Sequence, residues 1–234
     1  MAIVVAALAG ADPMTFLFYG LFFHDRLMLD LIFTSIIVVT VGWPIAYFFM
    51  RQHAELESMA GKLKWAAHFD DLTKLTNRRT FIERADALVQ SAGSGRGAGA
   101  LLYIDVDRFK SINDTHGHAA GDRALEALAS AIRSCIRDGD LAGRLGGEEF
   151  AVFLAGADHE QANRVSQRIR QSVRAVTEAI GIEDRVITVS IGMAMHIPGQ
   201  SLDETLSLAD RYLYVAKQRG RDRVIDEDAF LTAA

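Results

Sequence analysis

The chain has 234 residues, 50% of them hydrophobic, and a formal net charge of −5. That length holds one ordinary domain plus an appendage, and the acidic balance gives nucleic acid no general attraction, although local basic clusters can still grip phosphate. A single cysteine, Cys135, excludes an intramolecular disulfide, so the fold rests on its core, and the residue reads as a small buried apolar side chain rather than a nucleophile.

The apolar residues are unevenly spread. Within residues 1–50 only Asp12, Asp25, Arg26 and Asp30 are charged, and from Arg51 onward the composition is that of a soluble protein. Ile3 to Phe23 is long enough to span a bilayer but carries Asp12-Pro13 at its middle, where a charge costs about 3 kcal/mol, and it lacks the basic start of a signal peptide. Two readings stay open for it: a first span forming a hairpin through HDRLMLD, or a re-entrant or surface segment. Leu29 to Met50 carries no charge after Asp30, and about 20 apolar residues cross a hydrocarbon core of roughly 30 Å. This stretch reads as a transmembrane helix, with Pro44 tolerated inside it and Trp43 and Tyr47 suited to an interface. Arg51, Lys62 and Lys64 follow, which by the positive-inside tendency puts the C-terminal part in the cytoplasm.

From Arg51 to Phe69 the apolar residues Leu56, Met59, Leu63 and Ala66 or Ala67 recur at helical spacing. This connector is either a helix packed on its own domain or a short coiled coil pairing two chains, and fewer than three heptads do not decide between them.

Beyond it, Thr80 to Gln90 predicts a helix and Ser91 to Gly99 a surface loop. ALLYIDVD predicts a buried strand ending at Asp105 and Asp107, followed by a helical RFKSIND, a loop THGHAAGD and an amphipathic helix over Ala119 to Ile136. DLAGRL and EEFAVFLAG predict two strands joined as a hairpin at Gly146-Gly147. A helix over His159 to Ala179, the strand RVITVSIGMAM, a helix over Asp203 to Arg219 and a short strand near Val224 complete the pattern. Strands and helices alternate, yet the hairpin is antiparallel, so the expected fold is α+β: a mixed central sheet flanked by helices. The expected division is an anchor at 1–50 with its second span at about 29–50, a connector at 51–69, a catalytic domain at 70–228 and a tail at 229–234.

Three acids converge in this arrangement: Asp105 at a strand end, and Glu148 and Glu149 beside the turn. If the hairpin pairs beside the Asp105 strand, their carboxylates meet at one rim of the sheet, where hard oxygen ligands suit Mg²⁺ completed by substrate phosphates. Asp107 is expected to be a solvated or helix-capping acid. An EF-hand reading of DVDRFKSINDTHGH fails, since Phe109 occupies the third ligand position. His116 and His118, without cysteines or a second spaced pair, read as loop histidines rather than zinc ligands. Lys110, and Lys217 with Arg221 four residues later, are candidates for gripping phosphate, or simply a charged helix end in solvent. A carboxylate at Asp122 beside Asn113 can accept from both the N1–H and the amino group of guanine, whereas adenine presents an acceptor there.

Taken together, these stretches resemble the GGDEF family of diguanylate cyclases over about residues 68–226. DDLTKLTNRR (Asp70 to Arg79) is similar to the family's opening motif, with Lys74 in place of the usual glycine; DVDRFKSINDTHGHAAGD is similar to its nucleotide-binding stretch; and GGEEF is its signature in the Glu-Glu form. The resemblance implies a fold related to the palm of class III nucleotide cyclases and polymerases. It implies metal ligation (Mg²⁺ or Mn²⁺) by Asp105, the Val106 carbonyl, Glu148 and Glu149, with one of the two glutamates deprotonating a ribose 3′-hydroxyl. It further implies guanine contacts from Asn113 and Asp122, phosphate contacts from Lys110, Lys217 and Arg221, and backbone approach to the nucleotide at Gly146 and Gly147. The implied reaction joins two GTP across a homodimer into cyclic di-GMP and two pyrophosphates, with the catalytic domain on the cytoplasmic side of a bacterial inner membrane. Arg137-Asp138-Gly139-Asp140 has the R-x-x-D pattern five residues before GGEEF and resembles the family's product-inhibition site, with Arg137, Asp140 and Arg168 as implied ligands. The alternative of another class is a catalytically silent module that binds cyclic di-GMP there and signals by contact.

Overall fold

A computed structural model of the chain describes residues 10, 13–18, 20–22, 27–91, 99–177, 182 and 186–232. Most of the Ile3 to Phe23 segment with its hairpin, the greater part of the Ser91 to Gly99 loop, and the end of the helix expected to reach Ala179 lie outside the described residues. The chain divides into two compact units, Met1–Lys64 and Trp65–Ala234.

In the first unit, α1 (Leu27–Ile37) leads through a π-helical turn, Val38–Gly42, into α2 (Trp43–His68). The wide turn ends two residues before Pro44, whose ring and missing N–H disturb the preceding turn. Met28–Glu57 forms a helical run long and apolar enough to cross a membrane. Several of its large apolar side chains, among them Phe33, Ile37 and Phe48, stand more than half exposed, a surface that water disfavours. Thr34 and Thr40 turn their hydroxyls back onto the carbonyls of Asp30 and Ile36, each at 2.7 Å, which satisfies these groups without solvent.

The second unit is built on six strands: β1 (Thr76–Asn77), β2 (Gly99–Val106), β3 (Leu141–Arg144), β4 (Glu149–Ala155), β5 (Val189–His196) and β6 (Val224–Ile225). Their order is β1-β3-β4-β2-β5-β6. β2 lies antiparallel between β4 and β5, while β1 runs parallel to β3 and β6 parallel to β5. The sheet is therefore mixed, as the antiparallel hairpin requires. The helices are α3 (Arg78–Ser91), α4 (Phe109–His116), α5 (His118–Cys135), α6 (His159–Val176), α7 (Leu202–Gln218) and α8 (Glu227–Leu231). β1 and α8 were not among the predicted elements: two residues give no period to read, and α8 depends on its Asp226 cap and on Phe230 packing against Tyr212 at 5.2 Å.

Alternation in the central strand sorts two cores. Leu102 and Ile104, with Phe150, Val152 and Ile191, pack against Leu125, Leu128 and Ile132 of α5 and Ile169 of α6. Leu101, with Ala151 and Phe153, packs against Phe81 of α3 and Tyr212 of α7. Each fully buried Phe, Leu or Ile contributes roughly 1.5–3 kcal/mol, so the centre of the sheet is the most firmly held part of the domain. Cys135 is buried in the first core, as its apolar reading expected. A side chain at Gly192 would stand 1.9 Å from the Ala209 carbonyl oxygen, so its glycine lets α7 lie directly on β5. α6 and α7 both start with capping boxes, Asp158 with Gln161 and Ser201 with Glu204.

Candidate active site

The β2–β4 register sets Asp105 directly opposite Glu149. The hairpin expected at Gly146-Gly147 is present, with Arg144 paired to Phe150 and the Leu145 N–H donating to the Glu149 carbonyl at 2.8 Å. The Val106 N–H donates to the Glu148 carbonyl at 3.3 Å. The three acids thus come together at one rim of the sheet.

Asp105 is only 4% exposed. Burial pushes its carboxyl up to about 6; the Lys217 ammonium opposes this, and the charges of Glu148 and Glu149 add to the rise. Lys217 Nζ stands 2.8 Å from Asp105 Oδ2, in the last turn of α7 where a cation also suits the helix end. Tyr103, on the Asp105 face of β2, is pushed up to about 12 by its own burial and by the charges of Glu149 and Asp210. Among the described residues no group of three or more His, Cys, Asp or Glu side chains stands in metal-holding geometry. The donors nevertheless suit a hard divalent cation: a buried carboxylate crowded by two more acids is a site that added positive charge relieves.

Two residues, one that the sequence reading passed over and one that it misread, shape the surroundings of this rim. Arg144 donates through Nε and Nη2 to the Gly147 carbonyl (3.2 and 2.7 Å) and through Nε to that of Gly146 (3.1 Å), while Nη1 reaches both oxygens of Asp70 at 3.1 and 3.2 Å. It pegs the glycine turn to the loop after α2. Burial alone would raise the Asp70 carboxyl, but bonds from the Thr73 hydroxyl and N–H and from Arg144 hold it below the ordinary value. The other is Asp107, expected to be solvated or capping. It is 7% exposed and accepts from Ser190, Thr188 and the Asp222 N–H. A polar strand start at Thr188 and Ser190 supplies donors that turn this acid inward. The only signal for either residue was the polar character of its neighbours, which does not show who bonds to whom.

Residues 67–223 match the family described as "Diguanylate cyclase, GGDEF domain". The chain belongs to the GGDEF family. Its GGDEF domain is 41% identical over 171 residues to diguanylate cyclase DgcM of Escherichia coli, covering 73% of this chain and 41% of that protein. Among solved structures it is similar to the coiled coil and GGDEF domain of DgcB from Caulobacter crescentus in complex with c-di-GMP, at 31% identity and a TM-score of 0.68 over 78% of this chain and 98% of that one. It is likewise similar to diguanylate cyclase SiaD of Pseudomonas aeruginosa in complex with its activator SiaC, at 32% identity and a TM-score of 0.65 over 95% of this chain and 85% of that one. The chain spans about half or less of the length of the curated relatives it matches.

Except for Gly146 and Gly147 of the turn, the remaining candidates of the GGDEF domain lie apart from the acid cluster, and the R-x-x-D residues stand at the opposite end of β4, where Ala155 pairs with Gly99. Asn113 lies on α4, and its Oδ1 is buried without a hydrogen-bond partner. A Cβ at Gly121 would stand 1.9 Å from that oxygen, so the glycine keeps the space the amide needs. Asp122 on α5 and Lys110 on α4 are exposed, neither bonded to the acid cluster. Gly146 and Gly147 are at least partly exposed on the turn, and a Cβ at Gly147 would meet nothing within 4 Å. Arg221 is half-buried and lines a cavity of about 300 Å³ together with Asp107, Arg108 and Thr188. Arg137, Asp140 and Arg168 all line a second cavity of about 300 Å³ between β4 and α6. There Asp140 is held by the N–H groups of Arg137 and Ala155, both at 3.1 Å, while the Arg137 side chain is mostly exposed.

Proposed function

We propose that this chain is a membrane-anchored diguanylate cyclase that condenses two GTP into cyclic di-GMP and two pyrophosphates, each domain of a homodimer holding one nucleotide. The observation that carries the reading is the Asp105–Glu149 pairing at the GGEEF turn, with Lys217 on the buried acid. Three carboxylates and one lysine crowded at a sheet rim suit a cation and a polyphosphate, which supports this reading.

Asp105, the Val106 carbonyl, Glu148 and Glu149 would hold Mg²⁺ or Mn²⁺, which when bound supplies charge neutralisation at the phosphates. One of Glu148 and Glu149 takes the proton of the ribose 3′-hydroxyl. That oxygen forms a bond to the partner nucleotide's α-phosphorus while the bond to pyrophosphate breaks; the same exchange in the other direction closes the ring. Lys217, which stands on Asp105, would contact phosphate oxygens together with Lys110 and Arg221. Asn113, with its unpartnered buried oxygen, and Asp122 read guanine. Gly146 and Gly147 leave room for the nucleotide. The cavity at Arg137, Asp140 and Arg168 takes cyclic di-GMP as inhibitor, its two phosphates suiting the arginines. Met28–Glu57 supplies the anchor, and the cationic residues after it favour a cytoplasmic catalytic domain at a bacterial inner membrane.

The test is product analysis of the full chain in detergent with GTP and Mg²⁺. Cyclic di-GMP is expected from the wild type and essentially none from Glu148→Gln, whose thermal midpoint stays unchanged. A wild type that binds cyclic di-GMP but makes none would support the receptor reading instead.

A further inference from the structure

Asp107 is two residues from Asp105 and as deeply withdrawn from solvent, but its bonds lead elsewhere. Its Oδ1 accepts from Ser190 Oγ at 2.6 Å, and its Oδ2 accepts from Thr188 Oγ1 at 2.7 Å and from the Asp222 N–H at 3.0 Å. Both oxygens are committed to neutral donors, which leaves little for a cation. The third donor matters most, because Asp222 is 115 residues away in sequence.

Asp222 closes a run of three residues with left-handed backbone: Gly220 at φ 108°, Arg221 at φ 66° and Asp222 at φ 45°. Only the first is a glycine, and L-residues avoid this region, so the turn persists because its surroundings over-determine it. The Arg221 N–H donates to the Ala216 carbonyl at 3.0 Å, ending α7. Arg170 of α6 donates to the Asp222 carbonyl at 3.1 Å and to its Oδ1 at 2.9 Å, and Arg174 reaches Oδ2 at 2.8 Å. Asp107 grips the same residue from the core side. The cavity beside this turn is lined by Asp107, Arg108 and Arg221, so the turn's shape decides where one of its two guanidinium groups stands.

We propose that Asp107 is a positioning residue: it holds the Asp222 N–H from inside the domain while Arg170 and Arg174 hold the carboxylate from outside, and the turn so fixed presents Arg221 to the nucleotide's phosphates. This rests on the reading of Arg221 as a phosphate contact. Asp107 touches neither nucleotide nor metal, and its effect on GTP passes through Arg221. Asparagine of equal size at position 107 turns amide N–H groups toward hydroxyls that now need an acceptor, and the grip on Asp222 loosens.

The test is a double-mutant cycle on direct GTP binding to the full chain in detergent, with Asp107→Asn, Arg221→Ala and the pair. Asp107→Asn is expected to weaken GTP about tenfold, the scale of one charge-assisted phosphate contact. In the Arg221→Ala background the same change is expected to cost nothing further. Thr188→Val, which removes one of the hydroxyl donors and is milder should Asp107→Asn fold poorly, is expected to follow the same pattern with a smaller loss. Equal losses of affinity with and without Arg221 would overturn the proposal, since a general structural role acts on both backgrounds alike. A wild type that does not bind GTP would overturn the nucleotide reading itself, and an Arg221→Ala chain that binds GTP normally would remove the phosphate contact; each is distinct from additivity in the cycle.

Discussion

Asp105 Oδ2 and Lys217 Nζ meet at 2.8 Å, tying the end of β2 to the last turn of α7 across the rim that carries the GGEEF turn. The acid is buried and its carboxyl is pushed up to about 6, burial outweighing the lysine. An acid raised in the folded state binds more protons folded than unfolded between its ordinary value and about 6, so its contribution is fully present below that window and is lost as pH rises through it. In the metal-free chain this group therefore favours the folded state less at neutral pH than in acid. A divalent cation reverses the trend by favouring the ionised form. Millimolar Mg²⁺ is expected to raise the thermal midpoint more at about pH 7.5 than at about pH 5. Equal shifts at the two pH values would mean that Asp105 does not take part in metal binding.

Arg144 joins the glycine turn to Asp70 by bonds that no shorter cation reproduces. Arg144→Ala is expected to cost about 1–3 kcal/mol of stability and to lower turnover by about tenfold or more through loss of the turn's shape. Arg144→Lys should recover less than half of either. Paired thermal melts and initial rates decide the matter, and a lysine variant indistinguishable from wild type would refute the peg.

The two ends of the R-x-x-D stretch differ in burial, and their variants should differ accordingly. Arg137 is exposed, whereas the Asp140 side chain is 4% exposed and accepts from two backbone N–H groups. Arg137→Ala is expected to leave stability within about 0.5 kcal/mol and to relieve inhibition by added cyclic di-GMP. Asp140→Ala is expected to lose about 1–3 kcal/mol in addition, because those donors are left unpaired. Inhibition curves and melts on both variants test this, and unchanged inhibition in Arg137→Ala would remove the proposed site.

Lys74 has a left-handed backbone, φ 58°, a conformation that favours glycine. The residue therefore carries a strain that glycine relieves, and Lys74→Gly is expected to stabilise the domain by about 0.5–1 kcal/mol. Lys74→Ala, equally strained, is expected to change stability by less than about 0.5 kcal/mol. If both variants behave alike, backbone strain is not what distinguishes them.

Much of this architecture is legible in the sequence. ALLYIDVD predicts a buried strand, and the structure forms a core on each of its faces, Leu101 on one and Leu102 and Ile104 on the other. The hairpin at Gly146-Gly147 followed from turn chemistry, and the longer helices from their residue pattern. The misreading of Asp107 has a clear reason. Strand alternation describes a side chain's face, not its partners, and the three donors to this acid come from Thr188, Ser190 and Asp222, all more than 80 residues away. Arg144 was passed over likewise, because a charged residue at a strand end looks solvated until the loop at Asp70 is folded onto it.

By itself, then, the sequence determined which residues are acids, glycines and cations at motif spacing, where the longer strands and helices form, and that an apolar helix precedes the domain. These are local properties of period, propensity and chemistry. Only the tertiary structure decided that Glu149 faces Asp105, that Lys217 rather than Lys110 meets that acid, and that Asp107 turns inward to hold the Arg221 turn. Those pairings depend on strand register and on where α7 closes over the sheet, and both are set by the packing of the whole core rather than by any stretch of chain within it.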